Sequence, residues 1–166
     1  MNPLPDVALV DVDQAVADLL LALAKRDASP DEVAPPLGGP GWNLERTAWF
    51  FSYHHAAAEG LDGPAAEKTW AVYSGGEIAG SVRLKRRTEA GIPMAETGIW
   101  LGRSFRSRGV GGAALDLVLA KARRAGLKRV TARTLAGNHS AQRLLAAAGA
   151  ALTHDGDGTV LAVVEL

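Results

Sequence analysis

The chain reads as one mixed α/β domain spanning residues 1–166, and three observations predict it. Its 166 residues are the length of a single domain, one able to bury about 70% of its unfolded surface without a disulfide or metal staple. Stretches that alternate every second residue interleave with stretches of 3.6-residue period. The resulting order is β-α-α-β-β-β-α-β-α-β-β, with no repeat or low-complexity tail.

Val7–Val10 is a short strand. Asp13 caps a helix running to about Arg26, with Val16, Leu19, Leu20 and Leu23 on one face. Ala34–Gly41, with three prolines and three glycines, is a loop. Asn43 and Glu45 open a second helix to about Glu59, which carries Trp49, Phe50, Phe51 and Tyr53, and Leu61–Lys68 is a further loop. Thr69–Ser74 and Glu77–Arg87 form a hairpin about the Gly75-Gly76 turn, and Ala95–Leu101 is the next strand. Val110–Ala125 is a helix stopped by Gly126. Arg129–Thr134 is a strand, Ser140–Ala148 a helix stopped by Gly149, and Thr159–Glu165 a final strand.

Composition removes several kinds of chemistry. With no cysteine, thiolate catalysis, disulfides and cysteine-ligated zinc are excluded. Apolar runs such as Leu19–Ala24 and Leu144–Leu152 fall far short of the ~18 residues of a membrane span. Met1–Asp6 shows no basic segment leading into an apolar one, so a cytoplasmic location is expected. The 18 basic and 18 acidic groups cancel overall yet separate along the chain. Residues 83–143 hold 14 of the bases against three acids, a net of +11, while residues 1–82 net −8. Most of these charges belong to solvated faces, but the asymmetry also predicts a basic region that faces an anion.

The informative stretch is Ala95–Gly112, where a strand runs into a turn that becomes a glycine-opened helix. The first N–H groups of a helix lack internal partners and carry the positive end of its dipole. Gly109, Gly111 and Gly112 leave room for a bulky anion to approach them, and Arg106 and Arg108 add full charge. The arrangement predicts a phosphate cradle; the competing reading is that the glycines merely pack a helix against a strand. Gly109-x-Gly111-x-x-Ala114 also fits a dinucleotide fingerprint. However, the following strand, Arg129–Arg133, ends without the required carboxylate. No Gly-Lys-Ser/Thr follows, so a P-loop is excluded as well.

Arg106-x-x-Gly109-x-Gly111 resembles the Gln/Arg-x-x-Gly-x-Gly/Ala acetyl-CoA motif of the GNAT-fold N-acetyltransferases. Ala95–Leu101 looks like the fourth strand of their ribosomal-protein-acetyltransferase-like (RimJ/RimL-type) branch. Asn138-His139-Ser140-Ala141, followed by Leu144-Leu145 and Gly149, is similar to the family's second CoA motif. The resemblance covers residues 69–150. It implies a twisted mixed sheet of about six or seven strands with about four helices. The fourth and fifth strands splay apart and the pantetheine arm of acetyl-CoA lies between them. The co-substrate contacts implied are Ile99, Leu101, Arg106, Ser107, Arg108, Gly109, Val110, Gly111, Gly112, Asn138 and Ser140, with no metal.

The activity implied is acetyl transfer to a primary amine by direct attack on the thioester. By resemblance to the family's bulged fourth strand, the Leu101 N–H faces the thioester oxygen. Glu96 is the general-base candidate, acting through water. The competing reading makes it a cross-strand partner of Arg83 or Lys85. Leu145 stands where the family carries its general-acid tyrosine, leaving Ser140, His139 or solvent to protonate the thiolate. Asn138 reads equally as a helix N-cap. The acceptor side is expected to involve Trp42, on the Gly/Pro loop, with Tyr53, Glu96 and Trp100. His54 and His55 read as cavity lining or exposed helix face rather than metal ligands, and Trp49, Phe50 and Tyr53 read as core.

Asp27, Asp31, Glu32, Glu45 and Glu59 lie near the loops of the acidic half, so a cationic small amine or peptide N-terminus is the expected acceptor. The protein is expected to be a monomer or homodimer with no nucleic-acid or membrane partner, since the basic segment lacks interleaved aromatics. A non-catalytic acyl-CoA-binding module is the alternative function.

Overall fold

A computed structural model describes residues 6–166. Residues 1–5, which hold most of the segment read for a leader, lie outside it. Seven strands and five helices follow one another: β1 (Val7–Asp11), α1 (Gln14–Asp27), α2 (Pro30–Val33), α3 (Leu44–Ala57), β2 (Glu67–Ser74), β3 (Glu77–Glu89), β4 (Ile92–Leu101), α4 (Val110–Arg124), β5 (Arg129–Leu135), α5 (His139–Ala147), β6 (Ala151–His154) and β7 (Thr159–Glu165). They build one mixed sheet in the order β1-β2-β3-β4-β5-β7-β6. No helix among the described residues is long and apolar enough to cross a membrane.

The local chemistry explains most boundaries. Asp13 accepts a hydrogen bond from Val16 N–H at 2.8 Å and opens α1, and Asn43 does the same for α3 through Arg46 N–H at 2.9 Å. The segment between them is not all loop. Ser29 and Glu32 form a capping box that starts the one-turn α2 at Pro30. β2 begins at Glu67, inside what the sequence reads as loop, after Ala66 takes a left-handed φ of 52°. β3 and β4 both run further than expected at the end where they meet, to Glu89 and from Ile92, because Ala90 (φ 51°) and Gly91 (φ 77°) make a tight turn there.

The sheet buries both faces. Trp70, Val72, Val82, Leu84, Ala95 and Val130 pack against Val110, Ala114, Leu115 and Val118 of α4. On the opposite face Ala71 and Ile78 meet Leu20 and Leu23 of α1 and Phe50 of α3. The period-2 alternation in β2 sends Trp70 and Val72 to one core and Ala71 to the other. Each of the larger aliphatic side chains contributes roughly 1.5–3 kcal/mol of burial.

What positions the site is the one parallel pair. β4 and β5 are joined only at Met94↔Arg129, Ala95↔Val130 and Glu96↔Thr131. Beyond Glu96 the strands part: β4 stays with β3 as far as Leu101, and β5 stays with β7 as far as Leu135. A V-shaped gap therefore opens beside residues 97–101, with the start of α4 at its mouth.

Candidate active site

The gap edge of β4 follows from backbone alternation. Gly102 N–H donates to Ala79 O of β3 at 2.9 Å, so the N–H groups of Leu101 and Ile99 point the other way, into the gap. Pairing of β3 with β4 is continuous from Gly80↔Leu101 to Glu89↔Ile92. The bulge implied by the resemblance is thus absent from this pairing, and the end of β5 pairing is what exposes the Leu101 N–H. The Leu101 carbonyl is occupied: Arg106 donates to it through Nε at 3.1 Å and Nη2 at 2.9 Å. Gly80 is required here, because a Cβ on it would lie 2.1 Å from Trp100 O.

The turn after β4 forms an anion-ready concavity. Ser107 (φ 61°) and Gly109 (φ 80°) are both left-handed, a conformation that turns successive N–H groups to one side. The first helical bond of α4 runs from Ala113 N–H to Gly109 O at 3.1 Å, so Val110, Gly111 and Gly112 keep free N–H groups that no side chain caps. Arg106 and Arg108 are exposed beside them. The three glycines differ in purpose. A Cβ on Gly112 would meet no atom within 4 Å, which leaves open space for a ligand. One on Gly111 would lie 2.8 Å from Leu144 Cδ1. Packing against α5, rather than an anion, is what excludes a side chain at Gly111. The Val110 side chain is core, leaving only its N–H for a ligand.

The turn is tied to the neighbouring helices. Ser104 N–H donates to Asp27 Oδ2 of α1 at 3.1 Å, and Arg106 Nη2 to Glu32 Oε2 of α2 at 2.8 Å. Partial burial pushes the Glu32 carboxyl up, but the Arg106 hydrogen bond and charge outweigh it and hold it below its usual value.

On the α1/α3 face of the sheet, next to the open end of β4, lies a cavity of about 590 Å³. Ile99 and Trp100 line it, so it abuts the gap. Its floor is a charged lattice set by strand register, in which Lys85 of β3 sits across from both Glu67 of β2 and Glu96 of β4. Arg83 reaches Glu96 Oε1 at 2.8 Å and Glu67 Oε2 at 3.7 Å, and Arg87 reaches Glu96 Oε2 at 3.0 Å. Gly98 makes this possible, because a Cβ there would press on Arg83 Nε at 3.1 Å. The cross-strand reading of Glu96 therefore holds for Arg83, while the second partner is Arg87 and not Lys85. Partial burial raises the Glu96 carboxyl, but the hydrogen bond and charge of Arg83, then the charges of Arg87 and Lys85, pull it below its ordinary value.

The cavity wall comes from α3. Tyr53 stacks on Trp49 at 4.9 Å and donates its hydroxyl to Glu67 Oε2 at 2.7 Å. Burial, then that bond, pushes the phenol well above its usual value, so it stays protonated. His54 Nδ1 lies 2.9 Å from Thr69 Oγ1, and burial lowers its pKa to about 4, so the imidazole is neutral near pH 7. His55 is exposed on the same helix. No group of three or more His, Cys, Asp or Glu stands together among the described residues.

Several expected site residues lie elsewhere. Trp42 is half-buried edge-on against Phe50 at 6.2 Å and does not line the cavity, because the Gly/Pro loop folds onto the α1/α3 core. Ser140 is exposed on the first turn of α5, away from the cavity. Asn138 Oδ1 caps that helix, accepting from Ala141 N–H at 3.1 Å. Leu145, in the tyrosine's usual place, is buried in the α4 core. Of the five carboxylates expected to make a negative cleft only Glu32 lines the cavity, and it is paired; Asp31 pairs with Arg46 at 2.8 Å. His54 lines the cavity, as one of its two expected placements had it, whereas the sequence gives no sign that Trp49, Glu67 and Arg87 join it there.

The family model that matches the chain is the acetyltransferase (GNAT) family, over residues 40–150. A search of curated protein sequences finds no match. Similar solved folds include the microcin C7 self-immunity acetyltransferase MccE in complex with acetyl-CoA and AMP (TM-score 0.72, 15% identity, 96% of this chain and 92% of that one). RimL, a ribosomal L7/L12 α-N-protein acetyltransferase, aligns at TM-score 0.72 with 17% identity over 96% of this chain and 90% of its own. RimJ of Mycobacterium smegmatis, in complex with CoA-disulfide, aligns at 0.71 with 20% identity over 96% and 81%. With the splayed strands and the Arg106–Gly112 turn already in place, the matched residues establish that this chain belongs to the GNAT acetyltransferase family.

Proposed function

We propose that the protein transfers an acetyl group from acetyl-CoA to a primary amine, on a small molecule or a peptide N-terminus. The observation that carries this is the junction at Ile99 of the gap between β4 and β5 with the cavity on the other side of β4. Free N–H groups serve the gap and titratable side chains line the cavity. The residues fit a pyrophosphate-bearing co-substrate, because the open space at Gly112 adjoins three uncapped helical N–H groups and two exposed arginines. Bound acetyl-CoA supplies an activated acetyl thioester.

The chain's own groups divide the remaining work. Arg106, Ser107, Arg108, Gly109 and the N–H groups of Val110–Gly112 hold the phosphates, and the Ile99 and Leu101 backbones align the pantetheine arm. Leu101 N–H donates to the thioester oxygen as negative charge grows there. The amine nitrogen bonds to the acetyl carbon, the carbon–sulfur bond breaks, and one proton leaves the amine while one reaches the thiolate. Glu96 takes up the amine proton through water. Its two arginine partners weaken it as a base, which lowers the rate gain expected of it. Solvent returns a proton to the thiolate, whose low basicity asks little of an acid. The buried phenol of Tyr53 and neutral His54 shape the acceptor wall. The carboxylates expected to attract a cationic acceptor are paired or lie outside the cavity, which leaves such an acceptor without its attraction.

Acetyl-CoA consumption against an amine panel tests the reading. Turnover that requires an amine is expected, with Glu96→Gln lowering kcat about 10–100-fold at nearly unchanged acetyl-CoA affinity. Tight acetyl-CoA binding with no amine-dependent thiol release would instead leave a non-catalytic acyl-CoA-binding module.

A further inference from the structure

We infer that the acceptor carries an acidic group, carboxylate or phosphate, in addition to its amine, and that Lys85 receives it. This rests on the N-acetyltransfer reading and names the substrate class for that site. All three carboxylates lining the cavity are already held by arginines. Glu32 is bound by Arg106 at 2.8 Å, Glu67 faces Arg83 at 3.7 Å, and Glu96 is clamped by Arg83 at 2.8 Å and Arg87 at 3.0 Å. The lining cations are Arg83, Arg87 and Lys85, and among the described residues Lys85 has no carboxylate within 4.0 Å although it lies across from two.

A diffusing cation would have to displace a guanidinium from Glu67 or Glu96. Breaking such partly buried pairs leaves a charge uncompensated and is costly. An acidic group meets no such obstacle: it pairs with exposed Lys85 and the outer edge of Arg87, 57% exposed, without breaking an existing bond. The amine gives up its proton before attack, so its own charge is not what anchors the acceptor. Strand geometry sets the spacing. Lys85 is level with Glu96, and Ile99 lies three residues further along β4, about 10 Å at ~3.3 Å per residue. An acceptor that touches both ends has its amine and its acid several bonds apart.

The test is a matched series with acetyl-CoA: ω-amino carboxylates from glycine to aminooctanoate, the aminoalkyl phosphates, the plain alkylamines and the α,ω-diamines. The longer amino carboxylates or phosphates are expected to exceed their alkylamine counterparts about tenfold in kcat/KM, with diamines lowest. The relative strength of the two acidic arms tells carboxylate from phosphate. Lys85→Met should level the acid and plain series, and Lys85→Glu should bring the diamines above the acids. Diamines leading in the wild type, or an order unmoved by both variants, would overturn the inference while leaving N-acetyltransfer standing. If no amine turns over, calorimetric titration of the same compounds into the CoA-loaded protein decides it. Binding of the acids but not the diamines supports Lys85 even as the transfer reading falls, and the reverse overturns both.

Discussion

Gly111 and Gly112 are adjacent, yet a side chain would meet the protein's own atoms only at Gly111. At Gly111 the obstacle is Leu144 Cδ1, 2.8 Å from a Cβ, whereas at Gly112 there is nothing within 4 Å. Gly111→Val should therefore cost about 1–3 kcal/mol of stability as α5 shifts away, and any loss of acetyl-CoA binding would be confounded with it. Gly112→Leu separates the two effects. Leucine is favoured over glycine in a helix by about 0.8 kcal/mol, so the melting temperature should hold or rise. Meanwhile the side chain fills the space over the uncapped N–H groups and weakens acetyl-CoA binding at least about tenfold. Calorimetry and a thermal melt on the same sample check both. Unchanged affinity in Gly112→Leu would move the cradle away from this helix end.

α2, α3 and the Gly/Pro loop between them are held together by one buried cation. Arg46 of α3 is 1% exposed; its Nη2 donates to Asp31 Oδ1 at 2.8 Å and to Gly39 O at 3.3 Å, clamping α2 and the Gly/Pro loop to the helix. Its Nε and Nη1 are buried without partners, so the guanidinium is an imperfectly satisfied filler. Arg46→Ala should lose about 2–4 kcal/mol through the cavity it leaves, whereas Arg46→Met, of similar length, should stay within about 1 kcal/mol. In Arg46→Met amide exchange over residues 34–43 should quicken because the loop loses its tether. Equal destabilisation by both variants in urea melts would show that the bonds matter more than the volume. None of this clamp is visible in the sequence, where Arg46 is one polar residue in an amphipathic helix. The turn proposed to hold acetyl-CoA, by contrast, is local: its glycines, arginines and helix start lie within seven residues, so a motif discloses it. The charged floor is not local, because it depends on cross-strand register. The turn fixing that register puts Ala90 at φ 51°, a conformation alanine rarely signals.

For the molecule as a whole, the charge separation legible in the sequence survives folding in part: the basic segment contributes β4, α4 and β5 about the gap. Asp31 and Glu32 of the acidic half, however, are paired with arginines, and Glu45 and Glu59 lie outside the cavity, so no negative cleft forms. A buried neutral imidazole adds a pH dependence to global stability. His54 is 3% exposed, packed against Phe50 and Tyr53 with Thr69 at Nδ1, and burial lowers its pKa from 6.5 to about 4. Between those values the unfolded chain binds a proton that the folded one refuses, so stability falls as pH drops through this window. The contribution is complete above about pH 6.5 and amounts to a loss on the order of 3 kcal/mol by pH 4. The carboxyls of Asp27, Glu32 and Glu96 are lowered in the folded state. What they add is present above the unfolded carboxylate pKa, near 4, and is lost below it, so the two windows barely overlap. Unfolding free energies from urea melts between pH 4.5 and 7 should rise with pH in the wild type and flatten in His54→Gln, which keeps a polar partner for Thr69. A slope of the same size in both proteins would assign the effect to other groups.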